Sequence, residues 1–413
     1  LALIVQKYGG TSVADIERIK AVAERVLKSK AEGNSVVVVL SAMSGETNRL
    51  VSLAEELSAE PEGREYDVIV SSGEQVTIGL LALALRERNC EAMCFLGHQV
   101  PILTDSAYSS ARIEQIDTSK IMRELDDNAV VIVAGFQGID TLGNITTLGR
   151  GGTDTTAVAL AVALKADLCE IYTDVEGVYT TDPRICPNAR KIDRISYDEM
   201  LEMASLGAKV LQTRSVEFSK KYDIPVMVRS SFTDAAGTLV CKEDSEMEKV
   251  VVSGITYNKG EAKISVVQVT DCPGIAARLF KPLTEAGINV DMIVQNIGHD
   301  GTTDMTFTVN RPDYARALKL VEEMKDSLGA KGVEGDASIA KVSIVGAGMK
   351  SHAGIASKTF EVLAEEGINI QMISTSEIKI SCVVDEKYTE LAVRVLHDAF
   401  GLGTDEVEEE GAV

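Results

Sequence analysis

The sequence predicts an α/β protein in two parts. An α/β/α sandwich with a mostly parallel central sheet comes first, followed by two ferredoxin-like βαββαβ modules. Two observations carry this. Through residues 1–240, short Val- and Ile-rich runs alternate with helical patterns, and runs apolar at every position are those of strands buried on both faces. Further on, the chain repeats itself: Gly274 opens GIAARLFKPLTEAGINVDMIVQN and Gly354 opens GIASKTFEVLAEEGINIQMISTS, a constant offset of 80 residues with about half the positions identical. Such a duplication marks two related supersecondary units.

Taken in order, residues 3–6, 36–40, 130–134, 168–173 and 225–229 read as buried strands. Residues 13–30, 47–57, 74–88, 155–165 and 197–206 read as helices, the first capped by Ser12. The polar stretch 241–249 reads as a linker. Each repeat then has a strand (263–269; 341–345), a helix, a G-I-N turn, a strand and a second helix (about 313–328; about 387–400). The acidic tail 405–410 reads as a solvated end.

A chain of 413 residues is too long for one ordinary core. Its 45% hydrophobic and 25% charged residues are ordinary for a soluble globular protein. A net charge of −22 argues against nucleic acid or an anionic membrane as partner, since both need basic surface. Seven scattered cysteines form no C-x-x-C pair, which fits a reducing cytosol better than a disulfide or zinc framework. No apolar run approaches the ~20 residues that span a bilayer. The first strand leads into a lysine loop rather than a basic-then-apolar leader, so a cytoplasmic location is expected.

Three loops carry the chemistry. Lys7-Tyr8-Gly9-Gly10-Thr11-Ser12 joins a strand to a helix, offering a cation and bare backbone N–H groups to an anion. It lacks the P-loop spacing. Gly149-Arg150-Gly151-Gly152-Thr153-Asp154 opens an apolar helix as a second anion nest, with Arg150 as a planar fork. The stretch from Thr173 to Arg184, TDVEGVYTTDPR, groups aromatic, acidic and arginine side chains suited to a nucleotide. Each alone is commonplace turn chemistry.

In this order, with S-A-M at 41–43, S-S-G-E at 71–74 and the C-terminal repeat, the motifs closely resemble bacterial aspartate kinases of the amino-acid-kinase superfamily with tandem ACT domains. The resemblance implies a catalytic domain over 1–245 and ACT modules over 246–336 and 337–413, with strand 250–257 completing the second. It also implies transfer of the ATP γ-phosphoryl group to the β-carboxylate of L-aspartate, opening lysine, threonine and methionine biosynthesis. A carboxylate is already ionised at neutral pH and needs no general base, which suits motifs without histidine.

By resemblance, Lys7 contacts the transferring group, helped by Gly9, Gly10 and Thr11. Ser41 and Thr47 hold aspartate, Glu74 pairs with its α-ammonium and Arg150 with its carboxylate. Asp154 organises the centre, including Lys7. Thr173, Asp174, Tyr179, Asp182 and Arg184 line the nucleotide site, with Lys209 reaching the phosphates. Mg²⁺ arrives largely on ATP oxygens and water, with no carboxylate cage of its own.

The modules would take lysine, threonine or both as feedback effectors. In the first copy the matching positions are Asp271, Pro273, Gly274, Ile275, Ala276, Asn289, Asp291 and Gln295. In the second they are His352, Gly354, Ile355, Asn369, Ile370, Thr375, Ser376 and Glu377. A homo-oligomer (dimer or tetramer) is expected, or pairing with a separately made regulatory chain, for which Met247 is a candidate start. Other amino-acid kinases lack this ordered set. An amino-acid sensor with a decayed kinase part would not keep Lys7, Glu74, Arg150 and Asp154. A dinucleotide site at Gly346-Ala347-Gly348 lacks the third glycine.

Overall fold

The chain opens with β1 (Leu3–Tyr8), α1 (Ile16–Ala31) and β2 (Ser35–Leu40), and β2 is apolar at five consecutive positions because both its faces are covered. The computed structural model describes residues 2–208, 210–244, 247, 250–298 and 301–403. After α2 (Glu46–Glu55), α3 (Arg64–Val70) and α4 (Ser72–Arg86) come β3 (Ala92–Phe95), β4 (Ile102–Thr104), β5 (Ile113–Ile116), α5 (Ser119–Asp126) and β6 (Val130–Ala134). Then follow β7 (Gln137–Ile139), β8 (Ile145–Thr147), α6 (Gly152–Leu164) and β9 (Leu168–Thr173). The series ends with β10 (Arg194–Ser196), α7 (Tyr197–Ser205), α8 (Thr213–Tyr222), β11 (Val226–Ser230) and β12 (Thr238–Cys241).

The large sheet runs β10-β12-β11-β9-β1-β2-β6-β3 and is parallel except where β12 meets β11. Helices α1 and α4 cover one face, packing Ile19, Val22, Leu81 and Leu85 against Val36, Val38 and Ile132. Helix α6 covers the other; it is apolar almost all round and buried along most of its length, as a central helix should be. A smaller sheet, β5-β4-β7-β8, stands beside the glycine loop that starts α6.

Helices α3 and α4 together make a stretch, Arg64–Arg86, that is long and apolar enough by composition to cross a membrane. This corrects the expectation that no such run exists. Half of its most apolar window is buried, and it carries the buried carboxylates of Asp67 and Glu74, as a core helix can.

The remaining elements are β13 (Gly254–Asn258), β14 (Glu261–Thr270), α9 (Ile275–Glu285), β15 (Val290–Ile297), β16 (Thr302–Asn310), α10 (Tyr314–Met324) and β17 (Gly332–Asp336). They continue with β18 (Ile339–Val345), α11 (Ile355–Glu365), β19 (Met372–Thr375), β20 (Lys379–Asp385) and α12 (Thr389–Ala399). One four-stranded sheet is β15-β16-β14-β17 and the other β13-β18-β20-β19, so β13, which precedes the first module, serves as the fourth strand of the second. The segments Ala262-Lys263-Ile264-Ser265 and Ala340-Lys341-Val342-Ser343 correspond in the two copies. Across the seam between modules, Lys341 reaches Glu261 at 2.6 Å and also pairs with Asp291, whereas its counterpart Lys263 meets, among the described residues, the neutral Gln371 at 2.5 Å. Met292 and Met372, equivalent in the repeat, share a small apolar cluster with Ile339 and Val383.

The compact units do not follow a single cut near residue 245. One comprises Leu1–Val178, Lys191–Ser205 and Lys209–Met247; the other takes Tyr179–Arg190 and Leu206–Ala208 along with Glu248–Val413.

Candidate active site

Adjacent parallel strands end together: Tyr8 is level with Leu40 and Tyr172, Leu40 with Ala134, and Thr173 with Ser230. The loops leaving this carboxyl edge are where ligands of open parallel sheets sit. Lys7 is the penultimate residue of β1 and turns toward α6, where its ammonium meets the Asp154 carboxylate at 2.7 Å. A Cβ on Gly9 would come within 3.3 Å of that ammonium, so the glycine keeps backbone close to the cation.

The expected cap at Ser12 is not formed. Gly10–Val13 makes a short 3₁₀ turn, and α1 starts later, at Ile16, capped by Asp15, whose carboxylate accepts from the Arg18 N–H at 2.9 Å. Ser12 instead donates to the Ser231 hydroxyl at 2.8 Å, and Ser231 donates to the Thr173 carbonyl at 2.9 Å, tying the first loop to the ends of β9 and β11. Thr11 is exposed and Gly10 half-buried. On the opposite face of the sheet from Lys7, Tyr8 stacks on Tyr172 at 4.6 Å, and Glu170 accepts from Gln6 and Tyr172 at 2.8 and 3.1 Å.

Glu74, in the first turn of α4, is 2% exposed. One carboxylate oxygen accepts from the Ala42 N–H at 3.1 Å, while the other is buried with no hydrogen-bond partner among the described residues. Burial pushes its pKa up to about 7, partly offset by that backbone bond. An unpartnered buried carboxylate oxygen is costly, and a bound ammonium would relieve it. Next to Ala42, the Ser41 hydroxyl donates to Thr153 at 3.0 Å. Thr47 is half-buried near the start of α2.

Gly149 and Gly151 have φ of +78° and +75°, conformations that favour glycine, and the turn they make starts α6 without a side-chain cap. Gln212 donates to the Arg150 carbonyl at 2.8 Å and Arg214 to the Leu148 carbonyl at 2.9 Å, so the loop backbone is held from α8 and its cap. The Arg150 side chain is exposed.

The nucleotide stretch divides. Thr173, at the end of β9, donates to Asp174 at 3.1 Å in the first unit. Tyr179, Asp182 and Arg184 belong to the second. There Asp182 accepts from the Arg184 guanidinium at 2.7 Å and from the Tyr257 hydroxyl at 3.1 Å, and these bonds, the Arg184 one foremost, hold its carboxyl below its ordinary range. Ile185 and Cys186 enter the core of the second module, and Thr180 hydrogen-bonds His397 of α12 at 3.0 Å. Lys209 and the tail 405–410 lie outside the described residues.

Of the effector positions, Asp271, Pro273, Asn289, Gln295, His352, Asn369, Thr375, Ser376 and Glu377 are exposed. Gly274 and Gly354 precede α9 and α11 with φ of +90° and +98°. Ile275 is buried in the first module's core, with Ala276 packed against it, while Ile355 and Ile370 pack against the second's. Asp291 pairs with Lys341. Three residues escaped sequence reasoning. Asp67, Gln212 and Arg214 carry no motif, and only their contacts with the loops reveal them.

The family model for the amino acid kinase family matches residues 2–230, and a model for the ACT domain matches 264–324 and 342–400. An aspartokinase from Pseudomonas aeruginosa is 59% identical over 404 residues, covering 97% of this chain and 98% of that protein. Escherichia coli aspartokinase III, solved with aspartate and ADP, is 29% identical with a TM-score of 0.80, over 96% of this chain and 99% of that one. The same enzyme solved with lysine and aspartate is 29% identical with a TM-score of 0.77, over the same shares.

Proposed function

This chain belongs to the aspartokinases of the amino acid kinase family, which are ATP-dependent kinases, and we propose that it transfers the γ-phosphoryl group of ATP to the β-carboxylate of L-aspartate. The observation that carries the choice of an amino-acid acceptor is the buried, unpartnered oxygen of Glu74. An α-ammonium supplies the missing charge, and Arg150 takes the α-carboxylate. Ser41 and Thr47 are assigned to the same pocket.

The acceptor carboxylate is ionised at neutral pH, so catalysis consists of holding two anions in line and neutralising the charge that develops on the transferring group. Lys7 supplies that cation, with backbone N–H groups near Gly9 and Gly10 beside it. Asp154 holds the lysine in place. Among the described residues no group of three or more His, Cys, Asp or Glu side chains could hold a metal ion. In this reading Mg²⁺ comes bound to ATP and neutralises phosphate charge. Thr173 and Asp174 are assigned to the nucleotide, as are Tyr179, Asp182, Arg184 and Lys209.

The paired modules are read as receptors for lysine, threonine or both, coupled to activity by a free energy between sites. A homo-oligomer, or a complex with a separate regulatory chain, in the cytoplasm completes the reading. The test is an acyl-phosphate assay trapped with hydroxylamine. Hydroxamate formation should require both ATP and L-aspartate, and should fall when lysine, threonine or both are added. Hydroxamate formed without aspartate would overturn the substrate; no response to either amino acid would overturn the feedback.

A further inference from the structure

The Asp67 side chain on α3 is fully buried, and its partners are a loop residue and the end of a strand rather than its own helix. Its carboxylate accepts from the Ser109 N–H at 3.0 Å and the Ser109 hydroxyl at 3.2 Å. It also accepts from the Thr147 N–H at 2.7 Å and the Thr147 hydroxyl at 2.9 Å. Ser109 has a left-handed backbone, φ +64°, and its carbonyl would lie 2.9 Å from a Cβ on Gly149. Thr147 ends β8, two residues before that glycine. The carboxylate thus clamps the base of the loop that carries Arg150. Its own helix ends at Val70 and is capped by Ser71, the residue before α4, whose first turn carries Glu74.

We infer that Asp67 is a positioning residue that sets the separation between Glu74 and Arg150, and with it how well the pocket grips the ammonium and carboxylate of the amino acid. This rests on the reading of those two residues as ligands for the ammonium and the carboxylate. A bond to a charged acceptor is stronger than one between neutral groups, and a buried carboxylate with four donors holds both segments rigidly. A displacement of about 1 Å in such a site is enough to cost on the order of 100-fold in rate.

The test compares wild type with Asp67→Asn, which keeps the shape but turns one acceptor into a donor facing N–H groups, and with Thr147→Val, which removes a single bond. Each is assayed as the full chain by hydroxamate formation, with folding checked by circular dichroism. D67N should raise KM for aspartate about 10-fold or more and leave KM for ATP within about twofold. T147V should shift the same quantities in the same direction by less. Folded D67N with an unchanged KM for aspartate, or with both KM values raised equally, overturns the inference. If D67N does not fold, T147V decides by the same criteria. Wild type inactive with aspartate would instead overturn the proposed function, and this inference with it.

Discussion

The ammonium of Lys7 lies 2.7 Å from the carboxylate of Asp154, and the two side chains are only 11% and 12% exposed. One comes from the end of a strand and the other from the first turn of a helix more than a hundred residues later. The pair joins the two glycine loops into one site. Its partner anion also keeps the lysine aimed across the gap between them.

Replacing Lys7 by Ala should lower kcat about 100-fold or more while the fold survives, because a preorganised cation is lost from the transferring group. Turnover of the hydroxamate assay together with circular dichroism checks this. Near-normal turnover removes Lys7 from the reaction.

Glu74→Ala should raise KM for aspartate far more than KM for ATP, since the ammonium loses its only proposed anion. A steady-state matrix in both substrates measures the split. Equal rises would take Glu74 out of the aspartate pocket.

The acid–base behaviour of Glu74 gives two linked expectations. With its pKa held at about 7 by burial, the carboxylate proposed to bind ammonium is lost as pH falls below about 7. Hence kcat/KM for aspartate should drop about tenfold per pH unit on the acid side. The stability effect has the opposite sign. The folded value lies above the ordinary 4.5, so the native state holds the proton more tightly and loses this stabilisation as pH rises toward and through about 7. Thermal melts at pH 5.5 and 8 should therefore show Glu74→Gln gaining stability over wild type at the higher pH. A pH-independent difference would contradict the assignment.

Between the two modules, Lys341→Met should destabilise the chain by roughly 3–5 kcal/mol, because it strands Glu261, itself 3% exposed, without its cation. Lys263→Met breaks a bond to a neutral amide and should cost only about 1 kcal/mol. Urea unfolding of both variants gives the comparison, and equal losses would show that the charge on the partner is immaterial.

The sequence makes the parallel strands legible because their apolar runs and glycine exits reflect local requirements. The internal repeat likewise declares the paired modules. Other features depend on partners distant in sequence. The strands Ile102–Thr104, Gln137–Ile139 and Ile145–Thr147 are three residues each, too short to show a period. Ser12 is a good cap by type, but the 3₁₀ turn delays the helix, and Asp15 stands where the backbone becomes extended. Asp67 reads as an ordinary helix residue, and nothing within α3 shows that its donors come from Ser109 and Thr147. The stretch 173–184 reads as one loop, yet the burial of Ile185 and Cys186 is decided by Leu396 and Leu402.

That last excursion limits how the gene could be cut. Tyr179–Arg190 supplies the second module with two core side chains, the Thr180 partner of His397, and a carbonyl that accepts from Arg394 at 3.0 Å. A regulatory piece begun at Met247 would contain every strand and helix of both modules and still lack this plug. It would fold around a vacancy, with His397 deprived of its bond, until another copy of residues 179–190 filled it. Splitting the chain there would turn an intramolecular packing contact into one that depends on concentration.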